Sequence, residues 1–336
     1  MRVYELRGNS LDALTILDRP VPRPGPRQVL VRVRATSLNY RDLLVATGRY
    51  PRAGMKLPLV PLSDGAGEVV EVGSAVTRLK AGDRVASSFF QSWIDEPSDP
   101  AKGAAALGGT IDGVLSEHVL FEERAAVRFP EGLSFEEAAT LPCAAVTAWV
   151  GLKVLGGLDR GQTLLAMGTG GVSIFALQIA KNLGARAIVT SSHDEKLARA
   201  TALGADDVVN YRTTPAWDAF ARERTGGRGV DEILEVGGGG TLAVSLRALR
   251  DGGHLTLVGL LTGALADRAA AADNGRGIRI DPIYVGSVQH FEQMNAAFAS
   301  WGLRPVVDRT FPFEEARQAY EYLQSGAHFG KVVIRL

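Results

Sequence analysis

Three glycines stand almost without a gap at Gly168, Gly170 and Gly171, and a short apolar run, Gln162 to Met167, leads into them. Glycines at that spacing suit one kind of chemistry. They let a tight turn bring backbone N–H groups within bonding distance of a pyrophosphate, with no side chain in the way. In the dinucleotide-binding pattern G-x-G-x-x-G the third glycine allows a helix to pack closely on a strand, and here that place is Ser173, also a compact residue. In a chain with 39 glycines such a turn is weak by itself, so its meaning rests on the elements around it.

Those elements agree with it. After the turn, Val172, Phe175, Ala176, Ile179 and Leu183 repeat at the spacing of one apolar helix stripe, which predicts strand, turn, helix. Strand and helix patterns then alternate through Ala185 to Thr190, Lys196 to Leu203, Asp207 to Asn210, Trp217 to Arg222, Val230 to Val236, Thr241 to Leu249 and His254 to Leu260. Repeated βαβ units predict an α/β fold, a doubly wound parallel sheet with helices on both faces. The first 125 residues differ. Gln28 to Ala35 and Gly67 to Val72 alternate in the period of half-buried strands, which predicts a β-rich, barrel-type domain. Residues 91–113 read as a long surface loop, and residues 134–155 as helical, with Ser134 and Glu137 placed as a capping box. A strand is expected at Pro282 to Gly286, a helix from Val288 to Phe298, and the closing KVVIRL is a strand that could return to the first domain.

The composition narrows the classes of function. At 336 residues the chain is long enough for two domains of roughly 150 residues each. With 37 basic and 37 acidic residues there is no global field to attract nucleic acid or an anionic membrane, and small-molecule ligands fit better. Cys143 is the single cysteine, which excludes an intramolecular disulfide and any zinc site built on several cysteines. It reads as a small buried hydrophobe or as a thiol near a site. No signal-peptide core and no apolar run of about 18 residues is present, so the expectation is a soluble cytoplasmic protein. The histidines at 118, 193, 254, 290 and 328 make no paired metal spacing.

Read in order, NYRD at Asn39 to Asp42, GRYP at Gly48 to Pro51, GAGEVVEVG at Gly65 to Gly73, AGDRV at Ala81 to Val85, LPCAAVTAW at Leu141 to Trp149, GTGGVS at Gly168 to Ser173 and FGKVVI at Phe329 to Ile334 resemble the medium-chain dehydrogenase/reductase superfamily. Within it the chain is most similar to the zinc-lacking, quinone-oxidoreductase-like branch. The resemblance implies a GroES-like β-barrel catalytic domain from residues 1–126 and 288–336, and a Rossmann dinucleotide-binding domain from 127–287. Where zinc-dependent members carry Cys and His ligands, this chain has Asn39 and Ser63, with Asp64 and Cys143 remaining, so no catalytic zinc is expected.

The resemblance also implies site residues. The glycine turn, Gly168, Thr169, Gly170, Gly171 and Val172, would hold the cofactor pyrophosphate. No acid closes the second strand at Thr190 to His193, and Lys196 and Tyr211 match positions used by NADP-binding relatives, so NADP(H) is expected, with Ser191, Ser192, Lys196 and Tyr211 about the 2′-phosphate. Asp194 and Glu195, just beyond, keep NAD open. Thr147, Gly259, Leu260, Leu261 and Lys331 fall at the nicotinamide end by motif. Asn39, Tyr40, Arg41 and Tyr50 are the candidate catalytic donors; Asn39 could equally cap a turn and Tyr50 could pack beside Pro51, and Leu44 stands at or near the place where relatives carry a tyrosine. Asp42 reads as a cap. The expected function is hydride transfer from NADPH to a quinone or α,β-unsaturated carbonyl. A zinc-free alcohol or aldehyde oxidoreductase, and a non-catalytic nucleotide-binding or structural protein, are the alternatives. A homodimer through the strand Pro282 to Gly286 is implied as well, with no nucleic-acid or membrane partner.

Overall fold

The chain opens with the hairpin β1 (Arg2–Leu6) and β2 (Leu14–Asp18), then enters the eleven-residue strand β3 (Gln28–Leu38). Along β3 the run Val29 to Val31 is buried, Arg32 and Arg34 are partly exposed on either side of buried Val33, and Ala35 to Leu38 are buried again, so one face meets water only in the middle of the strand. Helix α1 (Tyr40–Ala46) follows, then β4 (Asp64–Val72), β5 (Arg84–Ser87), β6 (His118–Glu122) and β7 (Ala126–Arg128). The computed structural model describes residues 1–50, 54–55, 57–99, 101–259 and 275–336. Within them the chain forms two units, Met1–Val146 with Val285–Leu336, and Thr147–Tyr284.

Helix α2 (Phe135–Ala138) begins at the expected capping box: Glu137 N donates to Ser134 Oγ, and Ser134 N to Glu137 Oε2. The helical path then continues through wide π-type turns at Leu141–Ala145 and Val150–Leu155 on either side of α3 (Val146–Trp149). The second unit is a run of β8 (Thr163–Ala166), α4 (Gly171–Leu183), β9 (Arg186–Ser191), α5 (Asp194–Ala202), β10 (Asp207–Asn210), α6 (Trp217–Arg224), β11 (Val230–Glu235), α7 (Leu242–Ala248), β12 (Leu249–Leu257) and β13 (Arg279–Pro282). Its sheet is parallel throughout, in the order β10-β9-β8-β11-β12-β13. The chain winds outward from β8 to β10 and returns to place β11 beside β8. That reversal makes a crevice at the carboxyl ends of β8 and β11, where open α/β sheets bind ligands.

The last segment returns to the first unit as α8 (Val288–Trp301), β14 (Val307–Pro312), α9 (Ala316–Gln324) and β15 (Lys331–Arg335). Its sheet runs β14-β15-β3-β4-β5-β7, with β6 also paired to β3, and is antiparallel except between β14 and β15. The expected return of KVVIRL is therefore realised as β15 lying directly against β3.

Two local expectations need correction. The strand expected at Pro282 to Gly286 lies earlier, at Arg279–Pro282, because its partner β12 ends at Leu257 and Val285 turns the chain away at a φ of 58°. The stretch 91–113 is not simply surface. Ala106 and Leu107 are buried, and a Cβ on Gly113 would fall 2.0 Å from the Leu62 carbonyl oxygen, so small residues there let backbone lie directly on backbone. Residues 93 and 94 do structural work too: Val288 N and Gln289 N, open donors at the start of α8, bond to the carbonyls of Trp93 and Ile94.

Candidate active site

In the first unit, chemistry gathers where β3 runs into α1. Asn39 is the N-cap, with extended backbone at φ −120° and ψ 157°, and its N–H donates to Asp42 Oδ2 at 2.8 Å. Asp42 is thus the cap that its position suggested. It is buried, and that burial pushes its carboxyl up to about 6 against the pull of Arg41. Arg41 is itself largely enclosed: Nη1 donates to Leu107 O at 2.7 Å and stands 3.4 Å from Asp42 Oδ1, while the guanidinium lies over the rings of Phe89 and Tyr50. Arg41 therefore ties α1 to the packed half of the 91–113 stretch. Tyr50 is partly buried against the core, and Tyr40 is exposed.

The C-terminal strand brings Lys331 to the same place. Its buried Nζ donates to Leu38 O at 2.8 Å and to Asn39 Oδ1 at 2.5 Å, and stands 3.8 Å from Asp64 Oδ2. Asp64 in turn accepts from Ser63 Oγ at 2.7 Å and from Cys143 N at 3.1 Å. The Cys143 thiol is raised above its ordinary range by burial and by the carboxylates of Asp64 and Asp42, so it is protonated at neutral pH and no nucleophile. On the far side of the Asn39 carboxamide, Nδ2 is buried with no hydrogen-bond partner among the described residues.

These residues do not fit zinc. Around the position in question they supply an amide oxygen, a hydroxyl, one carboxylate and a protonated thiol, and an ammonium already sits among them. Zinc wants about four thiolate, imidazole or carboxylate ligands and would meet the charge of Lys331 at close range. Among the described residues, no cluster of three His, Cys, Asp or Glu side chains could hold a metal ion.

In the second unit the glycine turn sits at the switch-point crevice. Gly168 has a φ of 72°, which L side chains resist, and a Cβ there would meet no atom within 4 Å, so the ground in front of the turn is open. Gly168 N donates to Thr190 Oγ1, tying the turn to the end of β9. Ser173, in place of the third glycine, is buried and donates to Met167 O at 2.6 Å, so the departure adds a bond between helix and strand. Gly170 is the N-cap of α4, and the N–H groups of Gly171, Val172 and the next residues open toward the crevice end as an anion site. These groups fit a dinucleotide pyrophosphate.

At the end of β9, Ser191 is buried and Ser192 Oγ shares a hydrogen bond with His193 Nδ1 at 2.8 Å. The Tyr211 N–H bonds to Ser191 O, which brings the exposed Tyr211 beside the serines, and Lys196 lies in the first turn of α5. Asp194, the acid that argued for NAD, is held by Asn210 Nδ2 at 2.7 Å. Thr147 is buried in α3. Gly259 N bonds to Glu235 O, and a Cβ on Gly259 would fall 1.6 Å from Val236 O, so only glycine fits there. Leu260 and Leu261 lie outside the described residues. One residue at the crevice was missed in the sequence: Glu235, wholly buried, accepts from Gly237 N, Gly238 N, Thr241 Oγ1 and Ser245 Oγ and so shapes the turn after β11. Its signal was an acid that ends an apolar run and is followed, after Val236, by four glycines and Thr241.

Comparisons with known proteins cover nearly the whole chain. The alcohol dehydrogenase GroES-like domain family matches residues 25–131, and the zinc-binding dehydrogenase family matches 203–334. A zinc-type alcohol dehydrogenase-like protein of Schizosaccharomyces pombe is 42% identical over 98% of this chain and 96% of its own length. The crystal structure of an NAD-dependent alcohol dehydrogenase superposes with a TM-score of 0.89 at 32% identity over the whole of both chains. A quinone oxidoreductase of Pseudomonas syringae superposes with a TM-score of 0.85 at 25% identity over 100% of this chain and 99% of its own. The chain belongs to the medium-chain dehydrogenase/reductase superfamily, among its zinc-type alcohol dehydrogenase-like members, and is an oxidoreductase of that family.

Proposed function

We propose that this oxidoreductase works without zinc and uses NADPH to reduce a quinone or an α,β-unsaturated carbonyl compound. The observation that carries the reading is the Lys331 ammonium, 2.5 Å from Asn39 Oδ1 and 3.8 Å from Asp64 Oδ2, among the side chains that would have to ligate a metal. When bound, NADPH supplies a hydride. The negative charge left on the substrate oxygen must then be met by hydrogen-bond donors, and an enolate or hydroquinone anion, a weaker base than an alkoxide, asks less of them. Asn39 is the donor for that oxygen, and Tyr50 supplies the proton that completes the neutral product. Gly168 to Val172 hold the pyrophosphate, Ser191, Ser192, Lys196 and Tyr211 the 2′-phosphate, and Thr147, Gly259, Leu260 and Leu261 the nicotinamide end. The bond from Asn210 to Asp194 supports NADPH, because it draws that acid into a local contact. We further propose a homodimer through β13, which among the described residues is paired on one side only; light scattering reads this directly.

The test follows NADPH oxidation with an ortho-quinone, a medium-chain enone and a saturated aldehyde side by side, each repeated with NADH and with a chelator. Faster turnover of quinone or enone, a preference for NADPH and indifference to chelator are expected, and Tyr50→Phe should then lower kcat by about tenfold or more. Turnover of the aldehyde alone, or loss of activity to the chelator, would overturn the reading.

A further inference from the structure

Family motif places Lys331 with the cofactor, but its surroundings give it other work. An ammonium has three donors and no acceptor. In Lys331 all three directions meet oxygens of the same unit: Leu38 O at 2.8 Å, Asn39 Oδ1 at 2.5 Å and, at ion-pair distance, Asp64 Oδ2 at 3.8 Å. The side chain is 3% exposed, so water does not compete for it. The contact with Asn39 has a directional consequence. A carboxamide turned end for end would press its own N–H groups against the ammonium, so Lys331 holds Oδ1 toward itself and Nδ2 away from itself.

Nδ2, held in that direction, is buried and without a hydrogen-bond partner among the described residues, although Asn39 as a whole is 9% exposed. A buried amide donor left unpaired is unfavourable, and proteins keep such groups where a ligand completes them. The charge on the amide oxygen side also polarises the N–H bonds, since donors and acceptors in a chain strengthen one another in a low-dielectric interior. We propose that Lys331 is a positioning residue: it locks and polarises the Asn39 carboxamide so that Nδ2 is a preset donor to an oxygen atom that becomes anionic in the reaction. The group recognised is a carbonyl oxygen on its way to an enolate or hydroquinone anion, and this identification rests on the proposed reductase activity. Asp64 completes the device, holding Lys331 in place while being held by Ser63 Oγ and Cys143 N.

The experiment combines Lys331→Met, Lys331→Arg, Asn39→Ala and the Lys331→Met, Asn39→Ala double variant, each with asparagine-selective 15N labelling of the full chain. The Asn39 side-chain NH2 pair is assigned by its loss in Asn39→Ala. It should be resolved and static in the unaltered protein, move or average in Lys331→Met, and stay near its place in Lys331→Arg, which keeps the charge. Because this readout needs no turnover, an unmoved NH2 pair in a folded Lys331→Met overturns the lock whether or not quinones are reduced. If Lys331→Met does not fold, Lys331→Arg decides alone: averaging of the pair there overturns the proposal, and a pair held in place supports it. In kinetics, Lys331→Met should lower kcat by about 10²-fold, as removal of an oxyanion donor does, with NADPH affinity by fluorescence titration unchanged. The double variant should lose no more than Asn39→Ala alone. A fall in NADPH affinity in Lys331→Met, or losses that multiply in the double variant, would show that Lys331 acts on the cofactor or independently of Asn39. A locked NH2 pair in a protein that reduces none of the carbonyl compounds would sink the reductase reading and leave the lock standing.

Discussion

Asp42 shows how a side chain that only shapes the backbone can still set a pH response. It closes the start of α1 by accepting the Asn39 N–H, and does so from a buried place where ionisation is disfavoured, so that its carboxyl is raised to about 6 from an ordinary 3.8. The folded chain therefore keeps a proton that the unfolded chain has lost between those two values, and stability falls as pH rises through that window. Asparagine at this position could still accept from Asn39 N but could not titrate. Urea unfolding of the unaltered protein should show stability falling by on the order of 2 kcal/mol more than in Asp42→Asn between about pH 4 and pH 7. Equal slopes in the two proteins would mean that Asp42 is charged throughout and that Arg41, 3.4 Å away, outweighs the burial.

The same logic extends across strands in the second unit, where Glu232 on β11, His254 on β12 and Asp281 on β13 form one line. His254 Nδ1 faces Glu232 Oε2 at 2.7 Å, and Nε2 faces Asp281 Oδ2 at 3.0 Å. Thr256 Oγ1 donates to Glu232 from the same face, and Arg279 stands opposite His254 in the strand register. Burial pushes Glu232 up to about 7 against the pull of His254. Burial alone would lower His254, but the hydrogen bonds to Glu232 and Asp281 lift it above its ordinary value. Both groups bind protons more tightly folded than unfolded, so both contributions weaken as pH rises, and this sheet should be less stable at pH 8 than at pH 6. His254→Ala should cost about 3 kcal/mol or more in urea unfolding at pH 8, since it leaves Glu232 buried without its partner, and should steepen the fall of stability with pH, because Glu232 loses the group that draws its carboxyl down. None of this line was legible in the sequence, where His254 was one of five scattered histidines. The strands were legible, because alternation in β3 and the repeated apolar runs of β8, β9 and β11 are local signals. So was the glycine turn, although what Ser173 does there, a bond to Met167 O, needs the helix already folded. The pairing of Lys331 with Asn39 joins residues 292 apart and leaves no trace in spacing. The misplaced strand at Pro282 to Gly286 failed for a related reason: a strand ends where its partner ends, and the end of β12 is set elsewhere in the chain.

The order of these elements along the chain makes the two units unequal in how they can form. Thr147–Tyr284 is one uninterrupted segment, and among the described residues its strands all lie in one parallel sheet, so the ladder β10-β9-β8-β11-β12-β13 is built from that segment alone. The other unit is built from both ends of the chain. Its sheet places β15 between β14 and β3, with Val332 opposite Leu38 and Ile334 opposite Thr36, so the last residues of the chain lie in the middle of the sheet and not at its rim. Val332, Val333 and Ile334 are wholly buried, which ties the core of that unit to the final strand. Contacts of such long sequence separation close late, because the entropy of the intervening chain must be overcome before they are rewarded. Removal of Gly330 to Leu336 should therefore divide the molecule by unit. Hydrogen exchange should show β3, β4 and β14 losing most of their protection, while β8, β9, β11 and β12 keep theirs to within about 1 kcal/mol. Loss of protection in both units together would show that the nucleotide unit depends on the first for its stability, and that its self-contained sheet is not sufficient to fold.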